Sequence, residues 1–139
     1  MNTNDTEGAM FFLLDDVPWP DEGLSGTAPK ELVEAAERAG ARRKFLARGE
    51  GGFHSQYSEL PAGFTVPIHS HDHNEVIVML GGSCTMLSAQ RAEGGFDGPT
   101  LEPGDSMVLI GGVEYGFTAG SGGMRFMTIR TGKATVTLA

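Results

Sequence analysis

The chain has 139 residues, enough to bury one hydrophobic core, and its formal net charge is −8. Because it is acidic and has only 10 Lys and Arg residues, nucleic acid and anionic membrane surfaces are unsuited as partners. Cys84 is the only cysteine, which excludes an internal disulfide and is typical of a reducing compartment. No apolar run approaches the roughly 20 residues of a membrane span. We therefore expect a single-domain cytoplasmic protein.

Residues 1–42 are predicted to form an N-terminal extension with one short helix. From about Pro29 to Ala39, apolar residues recur at helical spacing, with proline in the first turn. Gly40 stands at the usual position for ending a helix. The basic cluster at 42–44 is interpreted as a solvated edge or helix end.

Residues 43–139 are predicted to be almost entirely β-strand. The chain contains 21 glycines, and they separate short apolar or alternating segments, which is typical of a sandwich or barrel with tight turns. The predicted strands are 43–47, 53–60, 64–70, 75–81, 83–89, 106–110, 115–119, 124–130 and 134–138.

Side-chain alternation predicts which residues share a face of the central strands. On the strand before residue 72, the inward set is Thr65, Pro67, His69 and His71. On the next strand, the inward set is Glu75, Ile77 and Met79. The other face of that strand, formed by Val76, Val78 and Leu80, is also apolar. An apolar face of this kind is usually buried, here against another sheet, the N-terminal segment or a second subunit. We expect the chain to form a homodimer.

Three of the four histidines lie in the run from His69 to His73. Two imidazoles spaced as in His69 and His71 project from one face of an extended strand, and Glu75 can return to the same space after a turn. Two neutral imidazoles and one carboxylate suit a divalent transition metal. His73 is expected in the turn, facing solvent. His54 is expected to be structural, although it is the best reserve for a further ligand.

The spacing of this run resembles the first conserved motif of the cupin superfamily. The matching positions are Gly63, His69, His71, Glu75 and Gly82. The resemblance covers about residues 43–130. It implies an all-β protein, a single-domain cupin jelly-roll β-barrel, with a metal such as iron, manganese, nickel, zinc or copper held inside it.

The second cupin motif is matched only in part, over residues 104–115. Ile110 stands where the family usually has proline, Tyr115 where it usually has histidine, and Ala119 where it usually has asparagine. The resemblance therefore implies a site of His69, His71 and Glu75, with Tyr115 in place of the usual fourth ligand.

The tyrosine leaves three interpretations open. A phenol titrates near pH 10 unless a metal lowers its pKa, and it is longer than imidazole. Tyr115 could bind the metal as a phenolate after a local backbone shift. It could act as an acid, a base or a hydrogen-bond donor toward a metal-bound substrate. It could also fill the space of a lost ligand.

The favoured function is that of a metal-dependent enzyme on a small organic substrate. The chain resembles single-domain cupin dioxygenases that cleave C–C bonds in diketones or hydroxy-ketones, with Tyr115 orienting or deprotonating the substrate. Fe(II) is favoured because two histidines and one carboxylate leave positions open for substrate and dioxygen, although Mn, Ni or Zn also suit the set. The alternatives are a redox-neutral lyase, isomerase or cyclase with Tyr115 as the base, and a non-catalytic cupin that binds a metal or ligand.

Overall fold

The computed structural model describes residues 8–20, 30–87, 97–132 and 136–138, and more than half of these residues are β-strand. One α-helix, α1 (Lys30–Arg38), precedes the strands, and Gly40 follows it with a φ of 101°. The strands are β1 (Arg42–Arg48), β2 (His54–Leu60), β3 (Thr65–His71), β4 (Glu75–Leu87), β5 (Asp97–Leu101), β6 (Ser106–Leu109), β7 (Tyr115–Arg130) and β8 (Val136–Leu138). The prediction of an all-β chain with a short helical extension is confirmed.

The described strands form one antiparallel sheet that is organised around β7. One edge of β7 pairs with β4, while its other edge pairs first with β3 and then with β2. The outer neighbours are β1 beside β2, β8 beside β3, and β5 and β6 beside β4. The sheet curls so that one face of β4 and β7 carries a continuous buried core. Its members include Ile77, Met79, Cys84, Met86, Leu101, Tyr115, Phe117, Ala119, Met124 and Phe126.

The two longest strands each join segments that the sequence predicts as two strands. β4 runs through Gly81 and Gly82, and β7 runs through residues 120–123 without a break. Gly82 has a φ of 68°, and a β-carbon on it would lie 2.0 Å from the carbonyl oxygen of Gly123. These glycines allow close backbone approach at an irregularity in the β4–β7 pairing, rather than ending the strands. β5 was not predicted.

The predicted inward face of β3 is wrong at its first residue. The pairing of β3 with β7 shifts between Val66 and His69, which is the signature of a bulge. Val66 therefore packs against the core, whereas Thr65 is exposed and hydrogen-bonds across the sheet to Thr118, with 3.0 Å between the hydroxyl oxygens. The inward–outward alternation counted back from His69 fails at Thr65, because the bulge inserts one extra residue into β3.

Gly116 is the residue over which this bulge fits. A β-carbon there would lie 2.6 Å from the carbonyl oxygen of Val66 and 3.1 Å from the amide nitrogen of Ile68. We expect Gly116→Ala to lower the free energy of unfolding by about 1–3 kcal/mol because β3 must move outward. Urea unfolding measures this loss. Gly122→Ala is the control, because a β-carbon on Gly122 meets nothing within 4 Å. Equal stability of the two variants would contradict the prediction.

The N-terminal segment packs on β1 and changes the interpretation of the basic cluster. The Lys44 ammonium donates to the carbonyl oxygen of Leu14 at 2.8 Å and lies 4.6 Å from the centre of the Trp19 ring. The Arg42 guanidinium lies 4.2 Å from the same ring centre. Lys44 is only 8% exposed. The cluster at 42–44 is therefore only partly a solvated edge, because Arg42 is exposed whereas Lys44 is buried and helps to hold the extension in place.

The second apolar face of β4 remains open to solvent in the isolated chain. Val76 lies in register with Val108 on one side and Ile129 on the other. The exposed fractions are 65% for Val108, 44% for Leu80 and 36% for Ile129.

In the described residues, no helix is long and apolar enough to cross a membrane.

We expect a second copy of the chain to cover this face. Light scattering at micromolar concentration should give the mass of a dimer, and Val108→Lys should shift it toward the monomer because burying an unpaired ammonium is costly. Thr100→Lys, on exposed β5, should leave the mass unchanged. A monomer in the unsubstituted protein would contradict the homodimer prediction.

Candidate metal centre

The imidazoles of His69 and His71 meet inside the curled sheet. Their Nε2 atoms are 3.1 Å apart, and the two residues are 7% and 9% exposed. The Nδ1–H of His69 donates to the carbonyl oxygen of Pro67 at 2.7 Å, which leaves the lone pair on Nε2. Burial lowers the pKa of His69 below its usual value. His69 is therefore a neutral imidazole whose lone pair faces the ring nitrogen of His71.

Tyr115 joins this pair from β7. It lies in register with His69, and the two ring centres are 4.5 Å apart. Its hydroxyl lies 3.1 Å from His71 Nε2 and donates to Oε1 of Glu75. Burial raises the pKa of Tyr115 well above the usual value, and the charge of Glu75 adds to the shift. In the absence of a metal, the phenol stays protonated at all physiological pH values.

Glu75 is held by an arginine that the sequence analysis did not place in the site. Arg130 Nε donates to Glu75 Oε2 at 2.7 Å, and Glu75 is only 2% exposed. Arg130 Nη1 also reaches Gln56 Oε1 at 3.5 Å. Glu75 and Arg130 are direct partners in the β4–β7 register. Only this strand pairing could have placed Arg130 in the site, and a single sequence does not specify strand pairing.

Within the described ranges, no three His, Cys, Asp or Glu side chains are already arranged as a set of metal donors. Tyr115 and Arg130 each hydrogen-bond to one oxygen of Glu75. The two imidazoles nevertheless fit one ion. Ligands about 2.1 Å from a metal are separated by about 3.0–3.4 Å from each other, and the two Nε2 atoms are 3.1 Å apart. Oε1 of Glu75 lies 3.8 Å from His71 Nε2.

A cavity of about 460 Å³ opens beside these residues. Its polar end contains the two histidines, Tyr115, Glu75, Gln56 and Arg130, and its walls are largely apolar. The apolar lining includes Phe64, Val66, Ile77, Phe117 and Phe126. Trp19 from the N-terminal segment and Ala36 and Glu37 from α1 also line the cavity. The extension thus contributes to the cavity, a role that the sequence did not indicate.

The other two histidines lie away from the centre. His73 is in the turn between β3 and β4, and its Nδ1 lies 2.8 Å from Asp72 Oδ1 near the surface. His54 is half-buried against Gly49 and is not among the described residues that line the cavity. His73 lies in the predicted turn, but its side chain is only 36% exposed, and His54 does not line the cavity.

Cys84 is a buried free thiol. It is 0% exposed, its sulfur lies 4.0 Å from that of Met79, and burial raises its pKa to about 11. At pH 8 only about one thiol in a thousand would be thiolate. We expect a soluble disulfide reagent to label Cys84 at the rate of global unfolding, and fully in urea. Rapid stoichiometric labelling of the native protein would contradict this burial.

Comparison with solved structures identifies the fold as that of the cupins. The polyketide cyclase RemF from Streptomyces resistomycificus superposes with a TM-score of 0.67 at 20% identity, over 94% of this chain and 85% of that one. For KdgF from Halomonas sp. the TM-score is 0.61 at 19% identity, over 87% of this chain and 93% of that one. The chain thus has the cupin jelly-roll fold implied by its first motif.

A deletion mutant of Bacillus subtilis oxalate decarboxylase gives a TM-score of 0.64 at 16% identity. The match covers 92% of this chain but only 31% of the decarboxylase, so the chain corresponds to less than a third of that protein. No family model matches the sequence, and no curated protein sequence matches it either.

Proposed function

We propose that this protein is a metal-dependent enzyme that transfers a proton on a small carbonyl-containing substrate, without net oxidation. The observation that supports this reaction most directly is the position of the Tyr115 hydroxyl. It lies 3.1 Å from His71 Nε2 and donates to Glu75, at the polar end of a largely apolar cavity. A phenol with a carboxylate behind it is suited to general acid–base catalysis.

In this proposal His69 and His71 hold a divalent transition metal, and Glu75 supplies an oxygen ligand. When bound, the ion polarises a substrate carbonyl and so acidifies the neighbouring C–H bond. Fe(II), Mn, Ni and Zn are all compatible with two imidazoles and one carboxylate. A solved structure that resembles this chain concerns the Mn(II) centres of Bacillus subtilis oxalate decarboxylase, which supports a transition metal here.

The protein's own side chains complete a balanced proton cycle. The phenol oxygen of Tyr115 receives the substrate's α-proton as its own proton passes to Glu75, and the reverse transfer returns a proton to the substrate. Arg130 keeps the Glu75 carboxylate oriented toward Tyr115. The apolar walls limit competing exchange with water. No electrons leave the substrate, so the cycle needs neither dioxygen nor a second cofactor.

The similarity to a polyketide cyclase supports this class of reaction, since RemF matches over most of both chains. A second candidate is the Fe(II) dioxygenase that the sequence analysis favoured. The observation in its favour is the donor set, with two imidazoles, one carboxylate and no third histidine among the described residues that line the cavity.

Metal analysis of freshly purified protein tests the proposed centre. We expect one divalent transition metal per chain in the unsubstituted protein and almost none in His69→Ala. His73→Ala is the matched control, because His73 lies in the surface turn, and it should retain the metal. Retention by His69→Ala, or loss from His73→Ala alone, would place the metal elsewhere.

The reaction class is tested by offering aryl ketones and aryl oxo acids, with phenylpyruvate as the first probe. Enzyme-dependent α-deuterium exchange in D₂O, without oxygen uptake, supports proton transfer. Oxygen uptake with loss of the probe would instead support the dioxygenase. Metal binding with neither activity across the series would leave the non-catalytic binding protein as the function.

A further inference from the structure

We infer that the cavity has a second polar subsite, formed by Gln56, Ser58 and Thr128, which binds a neutral oxygen acceptor at the far end of the substrate. The inference rests on the proposed function only in taking the cavity as the substrate site. It deepens that function by naming a substrate class, an aryl ketone with a second carbonyl-type oxygen that the apolar body separates from the first.

The three residues of this subsite lie side by side on the cavity wall. Gln56 and Ser58 are neighbours on one face of β2, and Gln56 is the direct partner of Thr128 on β7. All three line the cavity, and Ser58 and Thr128 are only 5% and 2% exposed. They therefore place an amide and two hydroxyls on a wall that is otherwise largely apolar.

The hydrogen bonds of the subsite run in one direction and end on the hydroxyl of Ser58. Arg130 can only donate, so the Gln56 oxygen that lies 3.5 Å from Arg130 Nη1 is an acceptor. The Gln56 amide nitrogen therefore faces Ser58 and donates to its Oγ at 3.4 Å. Because this oxygen accepts, the Ser58 hydroxyl has its own proton left to donate, and none of the described residues takes it. The positive charge of Arg130 polarises the whole chain in the same sense.

Thr128 adds a second hydroxyl that the protein leaves unused. In the part of the chain that the structure describes, its side-chain oxygen has no hydrogen-bond partner, although the residue is almost wholly buried. Every side-chain polar atom there that is sealed from solvent does have a partner, so the Thr128 hydroxyl must reach the open space of the cavity. A buried hydroxyl without a partner is unfavourable, and a ligand oxygen at this position would satisfy it.

The position of the subsite separates it from the metal end of the cavity. Ser58 lies four residues along β2 from His54, which is the partner of Arg130. An extended strand advances about 3.4 Å per residue, so the backbone of Ser58 is displaced by roughly 13 Å from the level of the ion pair between Arg130 and Glu75. The second oxygen of a small dicarbonyl compound held at the metal end could not span this distance.

The charges and shape of the wall define the ligand further. The Arg130 charge is already paired with Glu75 at 2.7 Å, and the subsite itself has no formal charge, so a neutral acceptor suits it better than a carboxylate. Phe126 is the partner of Ser58, and its ring lies edge-on to that of Phe117 with ring centres 5.8 Å apart. Both rings line the cavity, which suits an aryl body between the two oxygens.

The experiment compares two ligands of nearly equal shape, 4-(4-acetylphenyl)butan-2-one and 4-(4-isopropylphenyl)butan-2-one. Only the acetyl compound has an oxygen acceptor at both ends. Binding to the full chain, stripped of metal, is followed by calorimetry and by the fluorescence of Trp19, which is the only tryptophan and lines the cavity. Zn(II)-loaded protein is titrated in parallel.

We expect Ser58→Ala to weaken binding of the acetyl compound about fivefold, the usual effect of losing one hydrogen bond, and to leave the isopropyl compound unchanged. Thr128→Val, which keeps the shape of the side chain, should act in the same direction. An effect of either variant on the acetyl compound alone supports the subsite. Ser55→Ala is the matched control, because Ser55 lies on the same strand but is not among the described residues that line the cavity. It should preserve both affinities.

Three results would overturn the inference. If the two variants weaken both compounds alike, the hydroxyls only shape the cavity. If neither variant changes either affinity, or neither compound binds, the subsite takes no oxygen acceptor. If the carboxylate analogue 4-(3-oxobutyl)benzoate binds metal-free protein more tightly than the acetyl compound does, the wall recognises an anion.

These outcomes are distinct from a failure of the proposed function. The exchange of phenylpyruvate needs only the metal end of the cavity, so it should persist in Ser58→Ala even if the subsite is real. Loss of all exchange activity in unsubstituted protein that still prefers the acetyl compound through Ser58 would refute the proton-transfer reaction and leave the subsite intact.

Discussion

Tyr115→Phe is expected to lower the rate of α-deuterium exchange by about 10²- to 10⁴-fold, the usual contribution of a positioned acid or base. The ring should stay in place because it packs on His69, with ring centres 4.5 Å apart. Only the hydroxyl that reaches His71 and Glu75 is removed. Because Glu75 keeps its hydrogen bond to Arg130, we expect a stability loss of only about 1–2 kcal/mol.

Two measurements separate the possible roles of this tyrosine. If Tyr115 transfers protons, Tyr115→Phe keeps a full complement of metal and loses the exchange activity. If it is a ligand, oxidation of an iron-loaded sample gives a visible phenolate-to-iron(III) band in the unsubstituted protein, and the variant lacks both the band and part of the metal. Full activity in Tyr115→Phe would show that the residue only fills space and would remove the support for proton transfer.

The sequence predicts the features that depend on residues close together in the chain, and it fails for features that depend on pairing between distant segments. Alternation along one strand predicts His69 and His71 on the same face, and the spacing to Glu75 predicts its return, so the candidate donors follow from local pattern and family resemblance. The all-β class follows equally from glycine-separated alternating segments. These features are encoded within about twenty consecutive residues.

The errors arise where distant segments meet. Gly82 and Gly123 look like turn residues, but Gly82 fits against the backbone of Gly123 and Gly123 against that of Leu60, and β4 and β7 continue through them. The β3 bulge is accommodated by Gly116, which lies 50 residues after Val66 in the chain, as their numbers show. Arg130 cannot be placed in the site from the sequence, because only the β4–β7 register brings it beside Glu75. Such pairings cannot be read from periodicity in a single sequence.

Arg130→Met is expected to have the largest effect on stability, a loss of about 3 kcal/mol in metal-free protein. Glu75 is 2% exposed, and the substitution leaves its carboxylate buried with only the Tyr115 hydroxyl as a donor. Breaking a buried ion pair from one side typically costs about 3–5 kcal/mol. The low end of this range applies because the Arg130 side chain is 19% exposed, so water can reach the space that it vacates.

The double variant Glu75→Gln/Arg130→Met tests the physical cause, since it removes both charges and retains hydrogen-bonding capacity opposite Tyr115. Urea unfolding with chelator present should show the double variant to be more stable than Arg130→Met alone, because no charge is left buried without a counterion. Arg125→Met is the control, because Arg125 lies on the exposed face of the same strand, and it should change stability by less than about 1 kcal/mol. If Arg130→Met and Arg125→Met unfold alike, the ion pair between Glu75 and Arg130 does not stabilise the folded chain.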